Sequence, residues 1–241
     1  MSLKKTVVLT EYPKSGGSWI GSMLGDILQV PRRDIYVTED FSLFDIYKHP
    51  WYADAKDLTI PCQAVVKSHE LPNSNLINFD ATYIHLIRDG RDVVVSKWFF
   101  EKDFYVKNGI TNSFDKQFDD YVTETASDWS NYIEEWSTQN PIVARYESFL
   151  IDPISSLKKL LSHITEEDYS ENRLEETILR FSKKNFSASL DGLFRHNIFV
   201  RKGIAGDWRN HFSKKNINSF KTVAGSTLIA LGYEQDMDWT I

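Results

Sequence analysis

The sequence predicts an α/β fold: a single domain over residues 1–241, with a mainly parallel β-sheet flanked by helices. Three observations carry this. Short apolar runs rich in β-branched residues alternate with longer segments whose apolar residues recur at helical spacing. The short runs read as buried strands, as a sheet covered on both faces requires. No internal repeat, low-complexity tract or Pro/Gly/Ser-rich linker divides the chain.

Thr6-Val7-Val8-Leu9-Thr10 is the first strand, ended by Pro13 and Gly16-Gly17. Ile20, Met23, Leu24, Ile27 and Leu28 follow at i, i+3, i+4, i+7 and i+8, an amphipathic helix with Ser15 or Ser18 as the expected cap. Residues 63–67, 82–87 and 141–146 read as three further strands. Helical patterns cover 89–102, then 114–138 with Val122, Ala126, Trp129, Ile133 and Trp136 on one face, then 152–162, 167–182 and 214–231. Ligands of such sheets sit at the carboxyl ends of the strands, so the residues just after 12, 67, 87 and 146 matter most.

Composition narrows the class. With 28 Lys+Arg against 34 Asp+Glu the net charge is −6, which argues against general nucleic-acid binding while leaving room for a local anion site. A 41% hydrophobic and 26% charged chain is an ordinary globular protein, not a disordered or coiled-coil one. The single cysteine, Cys62, excludes an intramolecular disulfide or a cysteine-based zinc cluster and reads as an inert buried thiol. No apolar run approaches the roughly 20 residues that span a bilayer, and the N-terminal stretch lacks a cleavage-site pattern. A cytoplasmic enzyme or binding protein is the expectation.

The loop Tyr12-Pro13-Lys14-Ser15-Gly16-Gly17-Ser18-Trp19 joins the first strand to the first helix. Its glycines let backbone N–H groups wrap an anion, and the helix N-terminus adds partial positive charge. Lys14 and the hydroxyls of Ser15 and Ser18 offer further donors. The ATP-type pattern is absent, because the lysine precedes the glycines. Arg88-Asp89-Gly90-Arg91-Asp92-Val93-Val94-Val95-Ser96 follows the third strand, and an arginine fork with a hydroxyl suits a phosphate dianion. Arg201-Lys202-Gly203-Ile204-Ala205-Gly206-Asp207-Trp208 pairs two cations with a glycine that can wrap a terminal phosphate. Each segment taken alone is also compatible with a solvated turn.

Together the three segments resemble the cytosolic-type sulfotransferase family that uses 3′-phosphoadenosine-5′-phosphosulfate. The first is similar to the family's TYPKSGTTW, with Glu11 for the leading threonine and Gly17-Ser18 for the two later ones. The second is similar to R-x-x-x-D-x-x-x-S, and the third matches RKGxxGDW at every fixed position. The resemblance implies a P-loop-like phosphosulfate-binding loop made by Lys14, Ser15, Gly16, Gly17, Ser18 and Trp19. It implies a 3′-phosphate site at Arg88, Ser96, Arg201, Lys202 and Gly203, and an adenine site at Trp19, Tyr146 and Phe186.

Lys67-Ser68-His69, after the second of the predicted strands, resembles the family's K-T-H. His69 is then the catalytic base, and an imidazole near its usual pKa of about 6.5 suits that work. The resemblance gives Lys67 the sulfuryl oxygens and Lys14 the bridging oxygen. His49, His85, His163, His196 and His211 match nothing and read as structural. The implied partner is a small-molecule acceptor with a hydroxyl or amine, with no metal, because the sulfuryl group carries less negative charge than a phosphoryl group and fixed cations can serve. Aromatic residues crowd 36–52 (Tyr36, Phe41, Phe44, Tyr47, Trp51, Tyr52) and recur at Phe99, Phe100, Phe104 and Tyr105. Some could line an acceptor pocket, though core packing accounts for most. The family's dimer segment KxxFTVxxxE is not reproduced, since Lys214 and Asn218 replace its valine and glutamate. A P-loop-type small-molecule kinase and a non-catalytic nucleotide binder are the alternatives; neither a lysine after the glycines nor an acidic Mg²⁺ ligand at a strand end is found for the kinase.

Overall fold

The computed structural model describes residue 3 and residues 5–34, 63–72, 80–109, 113–189 and 200–241. Five strands form one sheet: β1 Thr6–Glu11, β2 Arg32–Asp34, β3 Val65–Ser68, β4 Ala81–Ile87 and β5 Ile142–Arg145. Their order is β2-β3-β1-β4-β5 and every pairing is parallel, with Leu9 opposite Lys67 and Glu11 opposite Leu86. The chain leaves β1 toward one side of the sheet and returns past it to build the other. The crevice at the carboxyl end of β1 is therefore the switch point where ligands of open parallel sheets bind.

Side-chain alternation along β1 divides the core. Val7 and Leu9 pack with α1 (Gly17–Leu28) on one face, where Leu157, Leu160, Leu161 and Leu174 also gather. Val8 faces the other way, among Val93 to Val95 of α2 (Gly90–Phe99), Trp129 and Trp136 of α3 (Phe118–Ser137), and Phe220 of the C-terminal helix Lys214–Ala230. The three core residues of β1 are fully buried, worth about 1.5–3 kcal/mol each against exposure. The expected apolar face of residues 114–138 is buried in full, although the helix begins only at Phe118.

The remaining differences have local causes. Tyr146 does not end the fourth predicted strand; it opens a short helix, α4 (Tyr146–Ile151), which stops before α5 (Pro153–Ile164). Asp152 caps α5, accepting from the Ser155 N–H, and Pro153 suits a first helical turn. The pattern over 167–182 resolves into α6 (Glu171–Arg180), capped by Ser170, and α7 (Lys183–Ser189). Residues 89–102 begin as α2 but widen after Phe99 into a π-turn, Phe100–Tyr105. That widening brings the Phe104 and Tyr105 rings to 4.7 and 5.0 Å from Phe100. The helix at Lys214–Ala230, here α8, has a capping box between Ser213 and Asn216. β2 is too short to give a sequence signal. Cys62, the aromatic residues of 36–52, His49 and His196 lie outside the described residues.

Candidate active site

The loop after β1 is held in an unusual backbone path. Lys14 takes a left-handed conformation (φ 76°), a costly one for a side-chain-bearing residue, and the Arg88 guanidinium donates to its carbonyl at 2.9 Å. Gly16 follows at φ 105°, and a Cβ there would lie 2.6 Å from the Tyr146 ring. Only glycine meets both demands. The expected serine cap is corrected: Gly16 itself is the N-cap of α1 and no side chain caps it. Instead the Glu11 carboxylate, at the end of β1, accepts from the Gly17 N–H at 2.5 Å. Ser18 Oγ accepts from Arg32 Nη2 at 3.2 Å and lies 3.4 Å from Lys67 Nζ.

Lys67 and His69 arrive from the neighbouring strand. Lys67 sits opposite Leu9 in the β1–β3 register, so its side chain emerges beside the loop. His69, one residue past β3 and 1% exposed, has Nδ1 at 2.8 Å from the Glu11 carbonyl. A carbonyl can only accept, so Nδ1 carries the proton and Nε2 is the basic nitrogen. The following turn is fixed by Trp136 Nε1 and the Tyr132 hydroxyl, which both donate to the Glu70 carbonyl, at 3.0 and 3.3 Å.

Charge crowds this end of the site. Lys14 Nζ lies 3.7 Å over the Phe100 ring. Desolvation, then Lys67, then Arg88 and Arg201 push the Lys14 ammonium down to about 7, with Glu11 opposing them.

The other end is built on buried pairs. Arg88 Nη2 donates to the Ile204 carbonyl at 3.3 Å while its guanidinium covers Tyr146 at 4.4 Å. Asp89 caps α2 by accepting the Arg91 N–H at 2.9 Å. Asp92, one turn on, accepts from the Gly206 and Trp208 N–H groups at 2.6 and 2.9 Å, tying residues 201–208 to α2. Asp207 receives Arg201 Nη2 at 2.5 Å and Lys202 Nζ at 2.7 Å. Burial alone would raise the Asp207 carboxyl, but hydrogen bonds from Lys202, Asn210 and Arg201 hold it well below the usual carboxylate range. Arg88 Nε and Arg201 Nε are buried and have no hydrogen-bond partner among the described residues. Trp19 donates to the Phe181 carbonyl at 2.7 Å and meets the Tyr146 ring edge-on at 5.8 Å; Phe186 lies 6.3 Å from Phe181.

Both ends open on one cavity of about 230 Å3. Lys14, Gly16, Gly17, Ser18, Trp19, Lys67, His69, Arg88, Ser96, Tyr146, Phe186, Arg201, Lys202 and Gly203 all line it. Ser15 does not: it is 1% exposed, off the cavity wall, and its N–H closes a turn onto the Tyr12 carbonyl at 3.2 Å. Sequence reasoning missed four contributors. Glu11 and Lys183 line the cavity, and Asp92 and Asp207 stand at fixed positions of the matched motifs yet carried no assigned role. Phe100 does reach the cavity, while Phe104 and Tyr105 are buried behind it and Phe99 packs on Arg201 and His211. His85 is a core residue, wedged against Tyr132 and Trp136 and driven down to about 3 by burial, so it stays neutral. Among the described residues, no group of three or more His, Cys, Asp or Glu could hold a metal ion, and no helix is long and apolar enough to cross a membrane.

A family model described as the Sulfotransferase domain matches residues 4–232. The chain is 26% identical over 256 residues to Sulfotransferase 1A1 of Bos taurus, covering 96% of this chain and 83% of that one. It is 24% identical over 236 residues to Sulfotransferase 2A1 of Homo sapiens, covering 89% and 81%. In fold it is similar to a mouse sulfotransferase complexed with PAP, with a TM-score of 0.70 at 20% identity over 92% of this chain and 83% of that one. It is also similar to retinol dehydratase in a complex with retinol and PAP, with a TM-score of 0.67 at 16% identity over 98% and 83%.

Proposed function

This chain belongs to the sulfotransferase family by its match over residues 4–232, and we propose that it moves a sulfuryl group from 3′-phosphoadenosine-5′-phosphosulfate to a hydroxyl or amine of a small-molecule acceptor. One observation carries the reading: a cation-rich, aromatic-walled end and a Lys14–Lys67–His69 end share a single cavity. The residues fit the donor. Arg88 and Arg201 each keep a buried Nε for an acceptor that the described protein does not supply, and Ser96, Lys202 and Gly203 line the same wall. Trp19, Tyr146 and Phe186 offer apolar faces for a base.

The bound donor supplies an activated sulfuryl group on a phosphosulfate anhydride. His69 Nε2 takes the acceptor's proton as the acceptor oxygen or nitrogen bonds to sulfur. The bond from sulfur to the bridging oxygen breaks, leaving a sulfated acceptor, adenosine 3′,5′-bisphosphate (PAP) and a His69 imidazolium that returns its proton to water. Lys67 faces the sulfuryl oxygens, and Lys14 meets negative charge developing on the bridging oxygen. No step asks for a metal.

The test incubates the protein with donor labelled in its sulfuryl group and a panel of small hydroxyl and amine acceptors. Label on an acceptor, with stoichiometric adenosine 3′,5′-bisphosphate and undiminished turnover in excess EDTA, is the expected result. Transfer only of the γ-phosphoryl group of ATP, requiring Mg²⁺, would move the assignment to a kinase.

A further inference from the structure

Glu11 is the only acid that lines the cavity among the described residues; the other charged groups there are cations. Glu11 is 3% exposed, and its carboxylate sits on the first N–H of α1, at 2.5 Å from Gly17. That N–H belongs to the anion-cradling loop, at the positive end of a 12-residue helix. The charge of Glu11 also raises the Lys14 ammonium against the surrounding cations.

Two of the three departures from the loop pattern of the resembling family, Glu11 and Gly17, are physically one change. A Cβ at position 17 would lie 2.6 Å from both Cδ and Oε1 of Glu11, closer than such atoms approach. A side chain at position 17 and the carboxylate in this place exclude each other. The loop has thus exchanged a side chain for an internal anion.

We propose that Glu11 is a built-in surrogate anion, which occupies the donors meant for the 5′-anionic end of the nucleotide and must be displaced when the nucleotide binds. This rests on the donor-site reading above. The carboxylate holds the loop and balances the cations in the empty protein. It also weakens the grip on the 5′ end alone, because like charges competing for one desolvated set of donors repel. The 3′ end, fixed through Asp92 and Asp207, does not feel the exchange. Displacement runs in reverse as the bisphosphate product leaves, so Glu11 favours release.

The experiment measures binding by calorimetry for adenosine 3′,5′-bisphosphate and for adenosine 3′-monophosphate, which lacks the 5′ anion. Glu11→Gln keeps an acceptor for the Gly17 N–H but removes the charge. It should tighten the bisphosphate about tenfold and leave the 3′-monophosphate within about twofold, the change appearing as slower dissociation. Gly17→Ala, which expels the carboxylate sterically, should shift the bisphosphate the same way. The double variant should gain no more than either single one, since both remove the same competitor. Weaker bisphosphate binding by Glu11→Gln, or equal shifts for both nucleotides, would make Glu11 a mere helix cap and overturn the inference while the donor site stood. Failure of wild type and variants alike to bind bisphosphate would overturn both.

Discussion

The two ends of the cavity solve the problem of concentrated positive charge in opposite ways. Around residues 201–208 each cation has a fixed internal partner: Arg201 and Lys202 share Asp207, Arg88 spans the Lys14 and Ile204 carbonyls, and Asp92 anchors the loop to α2. Around the loop after β1 the cations crowd one another, the Lys14 ammonium is driven down to about 7, and a lone carboxylate on a helix N-terminus answers them. The first end is pre-organised, so that in the proposed reaction it takes up an anion without rearranging. The second is electrostatically unsettled until an anion arrives, which is what a site of bond breaking needs, because stabilisation withheld from the empty protein can be spent on developing charge.

That contrast is tested hardest at His69. If the β1–β3 end does the chemistry and the other end only binds, His69→Ala should lower kcat by roughly 100- to 10,000-fold, with bisphosphate affinity retained. The wild-type rate should rise with pH as the base loses its proton, and the residual rate of the variant should lack that limb. A variant nearly as active as wild type across the pH range would remove the base assignment.

A smaller effect, confined to binding, is expected at the settled end. Arg88→Ala should weaken adenosine 3′,5′-bisphosphate by a factor of tens to about a hundred, and adenosine 5′-monophosphate far less. Because Arg88 also holds the left-handed Lys14 carbonyl, Arg88→Lys separates the roles: it keeps a charge but loses the fork. Equal losses for the two nucleotides in calorimetry would mean that Arg88 merely shapes the loop.

The contrast also explains what could be read from the sequence. Buried strands β1 and β4 and the helices with long apolar stripes were legible because their periodicity follows from burial. The cations of the settled end were legible as well, since two cations that share one acid keep a fixed spacing: Arg201 and Lys202 both pair with Asp207, although the acid itself carried no assigned role. β2 was not legible, for three residues carry no period, nor was the π-turn that swings Phe100 into the cavity. The serine cap failed for a reason found only in three dimensions. Glu11 is six residues before Gly17, beyond any local capping pattern, and reaches its N–H because the loop doubles back over the end of β1. Ser15 lay in the right loop, but the turn at Lys14 points it inward.

The smallest effect, and the one that most directly weighs the unsettled end, is a proton. With its pKa lowered to about 7, Lys14 is only partly charged near neutrality in the empty protein. An anion beside it favours the ammonium, so its pKa must rise on binding toward the ordinary range. The sign follows: at about pH 8, where the empty lysine is mostly neutral, binding adenosine 3′,5′-bisphosphate should draw in most of one proton, and at about pH 6 almost none. Calorimetric titration in buffers of different ionisation enthalpy reads this number, and the difference between wild type and Lys14→Met isolates the lysine from the phosphates of the ligand. Linked to it, wild-type affinity should fall as pH rises above about 7, up to tenfold per unit, and the variant's should fall less. Identical proton uptake by the two proteins would mean that Lys14 is fully charged before the ligand arrives. The electrostatic contrast between the two ends would then collapse, whatever His69 and Arg88 had shown.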